Sequence, residues 1–210
     1  MAELVDVKIE TGVFKVGDGR GFRVGDFVIT AAHCLPHLPP CMTFYSHLEE
    51  RTYENLIGPL DAEPVVWTEV VFVDPVSDLA ILSEPDHQDL SEQCDAYRQL
   101  LAAAHRFPIA NIKANKETPT KVLSLDGKWI VATACHHSGP LLLKEPITVG
   151  GMSGSPVLDN SGNAIAVVCS GVVSSDGGAW SSNCRLMHSL PRWFDINDAG
   201  MIAERAGEKQ

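Results

Sequence analysis

The sequence predicts an all-β protein, and three observations point that way. Short runs rich in β-branched and aromatic residues recur along the 210 residues, with Gly, Pro, Asp and Asn between them, the punctuation of tight turns. Apolar residues make up 45% and charged residues 20%, too apolar for a disordered chain and too sparsely charged for a coiled coil. Only two segments space their apolar residues at helical intervals. A chain of this length buries a substantial core as one large domain or two small ones, and many short strands build barrels or a sandwich.

The strand runs, in order, are Val5 to Phe14, Phe22 to Thr30, Val65 to Val73 and Leu79 to Leu82, then Lys121 to Leu125, Trp129 to Thr133, Pro156 to Leu158 and Ala164 to Cys169. Between the two groups, Leu90, Cys94, Tyr97, Leu101 and Ala104 recur at steps of three and four. That spacing predicts an amphipathic helix of about four turns, capped by Asp89 or Ser91 and stopped by Pro108. Its apolar face suits a packed connector better than a partner-binding surface. A second helix is expected after Pro191, carrying Trp193, Phe194, Ile196 and Met201 toward a frayed, charged end. No repeat of fixed period and no low-complexity segment interrupts this order.

Charge and composition exclude several functions. Sixteen Lys and Arg against 27 Asp and Glu give a net charge of −11, so there is no basic surface to follow a phosphate backbone, and nucleic acid is not expected as a partner. No apolar stretch approaches the roughly 18 residues that cross a bilayer, and the first residues lack the basic and apolar regions of an export signal. Six scattered cysteines, Cys34, Cys41, Cys94, Cys135, Cys169 and Cys184, form no CxxC pair, which favours reduced thiols and a cytoplasmic location. His33, Cys34, His37, Cys41 and His47 crowd together, but prolines between them indicate an irregular loop rather than a zinc site. Cys135-His136-His137 reads as a surface turn. No metal and no cofactor are expected.

Three strings carry chemistry: Ile29-Thr30-Ala31-Ala32-His33-Cys34, Ser77-Asp78-Leu79-Ala80-Ile81-Leu82 and Gly150-Gly151-Met152-Ser153-Gly154-Ser155-Pro156. Amide hydrolysis by a serine needs a general base, a carboxylate to fix the tautomer of that base, and N–H donors for the oxyanion. The strings supply one of each. Glycines around Ser153 let two backbone N–H groups converge on one point, and Gly151 and Ser153 are the expected donors. Asp74 competes with Asp78 for the carboxylate role; Asp78 is favoured because the apolar residues after it would shield its bond to histidine.

These strings resemble those of the chymotrypsin-fold serine peptidases, where TAAHC carries the base, an Asp before Leu or Ile the carboxylate, and G-x-S-G-x-P the nucleophile. The order His33, Asp78, Ser153 matches that family and differs from subtilisins and α/β-hydrolases. The resemblance spans roughly His33 to Gly171 and implies two antiparallel six-stranded β-barrels, with a connecting helix and a C-terminal helix. It places the first barrel in residues 1–86 with His33 and Asp78, a helical connector in 87–107, the second barrel in 108–188 with Ser153, and a helix and tail in 189–210. The implied activity is an endopeptidase acting on a protein or peptide that lies extended along Cys169 to Gly171. The rival expectation is a catalytically silent or regulatory interaction domain on the same fold.

Two departures qualify the resemblance. Secreted members bridge the cysteine after the histidine to one upstream, and none precedes Cys34, which leaves Cys34 a free thiol filling core volume. They also carry an aspartate before the serine to receive a freed amino terminus, where this chain has Met152. The sequence is thus closer to the bacterial and viral branches, with no zymogen activation, and its oxyanion loop must be shaped by local packing or by an activating partner protein. The resemblance places the specificity pocket between Ile147 and Thr148 on one side and Val168, Cys169, Ser170 and Gly171 on the other. With Ile147 where a carboxylate would serve basic substrates, and Val168 where glutamyl endopeptidases have histidine, small to medium uncharged side chains are expected there.

Overall fold

The structure is a computed structural model and describes residues 11–39, 51–86, 88–113, 115–136, 140–172, 181–191 and 193–194. Strands β1 (Val13–Val16), β2 (Gly19–Val24), β3 (Phe27–Thr30), β4 (Thr52–Gly58), β5 (Val66–Asp74) and β6 (Leu79–Ser83) close a barrel in the order β1-β2-β3-β6-β5-β4. A helix, α1 (Ser91–Ala102), follows. Strands β7 (Glu117–Leu123), β8 (Trp129–Cys135), β9 (Leu141–Leu143), β10 (Pro156–Asp159), β11 (Ala164–Val172) and β12 (Ser181–Leu186) close a second barrel, β10-β11-β12-β9-β8-β7. All the strand pairs are antiparallel.

Where strands were missed, local pattern had been overridden. The run Phe22 to Thr30 is two strands, because Gly25, at φ +61, opens a two-residue turn that sets Val24 opposite Phe27. β4 was hidden by a bulge between Tyr53 and Ile57, with Asn55 at φ +51, which breaks the alternation of its residues. β12, Ser-Ser-Asn-Cys-Arg-Leu, is too polar to stand out and is held by pairing with β11 on one side and β9 on the other. β9 has only three residues. The expected run Val5 to Phe14 lies mostly outside the described residues; its visible end opens β1.

Helix α1 is shorter than expected. It has 12 residues, its N-cap is Leu90 with no side-chain cap bond, and it stops well before Pro108. The Arg23 guanidinium braces the chain as it leaves the helix: Nη1 donates to the carbonyls of Leu101 and, at 2.9 Å, Ala104. Tyr97, fully buried, reaches the carbonyls of Asp26 and Leu82, both at 3.1 Å, so the helix packs on the first barrel as a connector. The second expected helix falls largely outside the described residues, although Phe194 is buried and its N–H bonds to Pro191 O at 3.0 Å. No helix among the described residues is long and apolar enough to cross a membrane.

Strand alternation assigns the core. On β6, Ala80 and Leu82 face the interior of the first barrel, while Leu79 and Ile81 join a cluster with Phe22, Leu123, Leu158 and Val167 that lies between the barrels. A third cluster, including Val122, Leu141, Val157 and Leu186, fills the second barrel. β6 is therefore buried on both faces, which accounts for its unbroken apolar sequence, and it holds the residue before it, Asp78, at the seam.

Candidate active site

His33 sits in a single 3-10 turn, Ala32–Cys34, directly after β3. The turn closes with Cys34 N–H on Ala31 O at 3.0 Å, and the Cys34 thiol is buried beneath it. Burial raises the Cys34 pKa, so this thiol is a packing group and not a second nucleophile. Asp78 precedes β6 with φ +55, a left-handed conformation that aspartate tolerates better than most residues. Its carboxylate grips His33 twice, with Oδ2 2.8 Å from Nδ1 and Oδ1 accepting the His33 backbone N–H at 3.0 Å. Nδ1 bonded to a carboxylate is the protonated nitrogen, which leaves Nε2 free to accept a proton. The imidazole is half exposed at 48%, and Asp78 is more sheltered at 23%.

Asp74, the competing carboxylate, does something else. Its Oδ1 accepts the N–H groups of Val76 at 2.9 Å and Ser77 at 3.2 Å, forming the turn that leads into Asp78. The Ser77 hydroxyl, first among these bonds, holds the Asp74 carboxyl below its ordinary range. Among the described residues the structure thus brings Asp78 and not Asp74 to His33.

Ser153 lies within the second of two consecutive tight turns. The first closes with Met152 N–H on Val149 O at 3.1 Å and needs Gly151 at φ +87; the second closes with Ser155 N–H on Met152 O at 3.0 Å and needs Gly154 at φ +83. Gly154 N–H bonds to Val168 O at 2.7 Å. The N–H groups of Gly151 and Ser153 take part in no backbone bond among the described residues, the state an oxyanion hole requires of its donors. Met152 is buried in the second barrel at 1% exposure, where an aspartate awaiting an amino terminus would be exposed or paired.

The Ser153 hydroxyl donates to Cys169 O at 3.2 Å. Cys169 meets the other half of the site too, since its thiol lies 3.5 Å from Asp78 O and belongs to the first-barrel cluster. Burial, reinforced by Asp78, drives the Cys169 thiol far above its ordinary pKa and keeps it neutral. Sequence reasoning placed Cys169 in the pocket wall and missed this junction between the barrels. Of the other pocket candidates, Thr148 is buried at 8%, Ile147 packs at the edge of the second-barrel core, and Val168 points its side chain into that core. Ser170 and Gly171 follow a bulge after Val168 and pair with Asn183 and Ser182 of β12, a strand that no sequence signal suggested. Of the histidine and cysteine cluster considered for zinc, Cys41 and His47 lie outside the described residues.

No family description and no curated protein matches this chain. Solved structures do. The Rv3671c protease of M. tuberculosis, in an inactive form, aligns with 96% of this chain and 90% of its own at 18% identity and a TM-score of 0.51. A serine endoprotease from Yersinia pestis aligns with 87% of this chain and 61% of its own, at 12% identity and a TM-score of 0.51. The fold is that of the chymotrypsin-like serine proteases. Cys169 joins the two halves in this fold, bonded by Ser153 on one side and beside Asp78, the partner of His33, on the other. An astrovirus serine protease aligns with 83% of this chain at 17% identity and a TM-score of 0.47.

Proposed function

We propose that the chain is a serine endopeptidase that cuts specific protein or peptide substrates through an acyl-enzyme. The observation that carries this reading is the double grip of Asp78 on His33, at 2.8 and 3.0 Å, because it fixes both the tautomer and the ring orientation that a general base needs. Ser153 attacks the scissile carbonyl while His33 Nε2 takes its proton. The oxyanion forms against the N–H groups of Gly151 and Ser153. His33 then returns the proton to the leaving amine, and water repeats the sequence on the acyl-enzyme. Ile147, Thr148, Cys169, Ser170 and Gly171, with Val168 behind them, would line a largely apolar pocket for an uncharged side chain, since none of these residues offers a buried cation a carboxylate.

One observation favours a second reading, a silent interaction domain: the Ser153 hydroxyl donates to Cys169 O. In the catalytic reading this is a resting rotamer that the hydroxyl leaves to donate to His33 Nε2. A fluorophosphonate probe separates the two. Labelling of the native chain at Ser153, abolished by Ser153→Ala and by His33→Ala, is expected; a folded chain that stays unlabelled would overturn a self-sufficient peptidase and favour the interaction domain.

A further inference from the structure

We propose that Arg20 is a positioning residue whose guanidinium braces the Ser153 loop across the barrel interface. The proposal rests on the hydrolytic reading above for its effect on chemistry, and on contacts alone for the bracing itself.

Arg20 lies on β2 of the first barrel and is buried, at 5% exposure. Its Nη1 donates to Leu123 O at 2.7 Å and its Nη2 to Ser124 O at 3.1 Å, two successive carbonyls at the end of β7 in the second barrel. Its backbone N–H donates to Ser153 O at 2.7 Å, and its carbonyl accepts the Thr30 hydroxyl at 2.6 Å. One residue therefore binds two separate segments of the opposite barrel, one of them the serine itself. Those segments are also neighbours: Leu125, on the hairpin after Ser124, places Cδ2 3.6 Å from where a β-carbon on Gly151 would stand, so its side chain lies beside the loop. The Arg20 backbone holds Ser153 directly, and its guanidinium holds the hairpin that lies beside Gly151.

The hairpin is a firm anchor. The Ser124 hydroxyl bonds Asp126 and, at 2.7 Å, Lys128 O, and Lys128 Nζ meets Asp126 at 2.8 Å. The choice of side chain matters as well. A planar guanidinium presents paired donors to neighbouring carbonyls, whereas an ammonium is a point charge that satisfies them less well. Burial works against this cation, pulling its pKa down. The surrounding interface is apolar, with Phe22, Leu123 and Leu158 in one cluster, and an apolar residue would fill it with a smaller desolvation penalty. A buried cation on two carbonyls contributes direction, which is what a loop needs when Met152 offers no ion pair to hold it.

The test uses the full chain with Arg20→Met and Arg20→Lys, read by hydrogen exchange and by the saturating rate of fluorophosphonate labelling. Both variants should keep the β-sheet signal while exchange speeds up in 123–128 and 149–155 and stays unchanged in α1. Labelling should slow by about 10- to 100-fold in the limiting rate rather than in probe affinity, the size expected for a displacement of about 1 Å, and methylguanidinium should restore part of it in Arg20→Ala. Unchanged exchange in both segments overturns the proposal, and so does a uniform rise over all strands, which would make Arg20 a plain stabiliser. Should Arg20→Met fail to fold, Arg20→Lys, which keeps the charge but loses the fork, decides the same comparison. If the native chain does not label yet the exchange pattern is as expected, the hydrolytic reading falls and the brace stands.

Discussion

The two halves of the site are built from different materials. The histidine half is made by side chains: Asp78 holds His33 through both carboxylate oxygens, and Asp74 shapes the turn that delivers it. The serine half is made by backbone: Gly151 and Gly154 adopt φ values of +87 and +83, and five main-chain bonds, two closing turns, two exchanged with Val168 and one from Arg20, fix the loop. A side-chain site can be emptied by changing one functional group while the fold stays. A backbone site is indifferent to most side chains and fails when a β-carbon has no room.

The largest effect should come from the side-chain half. Asp78→Asn keeps a residue suited to φ +55, so the fold should survive, but the amide would favour the wrong His33 tautomer and lower turnover by on the order of 10⁴-fold, as in related triads. Asp74→Asn retains the acceptor oxygen of its turn and should stay within about tenfold of the parent. Peptide hydrolysis by the two variants measures the contrast, and equal losses would put both carboxylates into the mechanism.

The backbone half is probed by alanine at its two glycines. A β-carbon on Gly154 would lie 1.7 Å from Arg20 O and 2.7 Å from the Thr30 hydroxyl oxygen, so Gly154→Ala should lower stability by about 3 kcal/mol or more in denaturant unfolding. Gly151 has room, with its nearest neighbour at 3.6 Å, and Gly151→Ala should show only the left-handed strain of about 1–2 kcal/mol. Similar losses at both would mean that strain rather than crowding limits the loop.

Thiol chemistry sharpens the picture at smaller scale. Burial raises the pKa of Cys34 and Cys169 and pushes Cys184 up to about 12, so at pH 8 all three remain thiols rather than thiolates. Iodoacetamide should leave them unmodified in the native chain and label them on unfolding. Rapid native labelling of Cys169, followed by mass spectrometry, would show the seam between the halves to be open.

The smallest effect concerns the hairpin beside the serine loop. Bonds from Lys128 and then Ser124 hold the Asp126 carboxyl down at about 2. A depressed carboxylate contributes stability above its unfolded pKa and loses it as pH falls through the folded value, so the hairpin should loosen between about pH 4 and pH 2. Fluorescence of Trp129, the first residue of β8, should report it. Asp126→Asn should remove that acid-range change.

What the sequence determined about this protein is the chemistry that short windows encode. Glycines beside Ser153 announce a backbone forced into turns, the apolar run after Asp78 announces a strand buried on both faces, and the order of His33, Asp78 and Ser153 is a property of the chain itself. Tertiary structure alone decided that Asp78 grips the backbone of His33 as well as its ring, that Cys169 joins serine and aspartate, and that Arg20 reaches the opposite barrel. These are contacts between residues 45, 91 and 103 positions apart. Local propensity carries no information over such separations, because the partner of a hydrogen bond is set by where closed barrels bring their seams together. The polar strand β12 was illegible for the same reason: its neighbours β11 and β9 hold it in place, and Cys184 and Leu186 are too short an alternation to mark a strand.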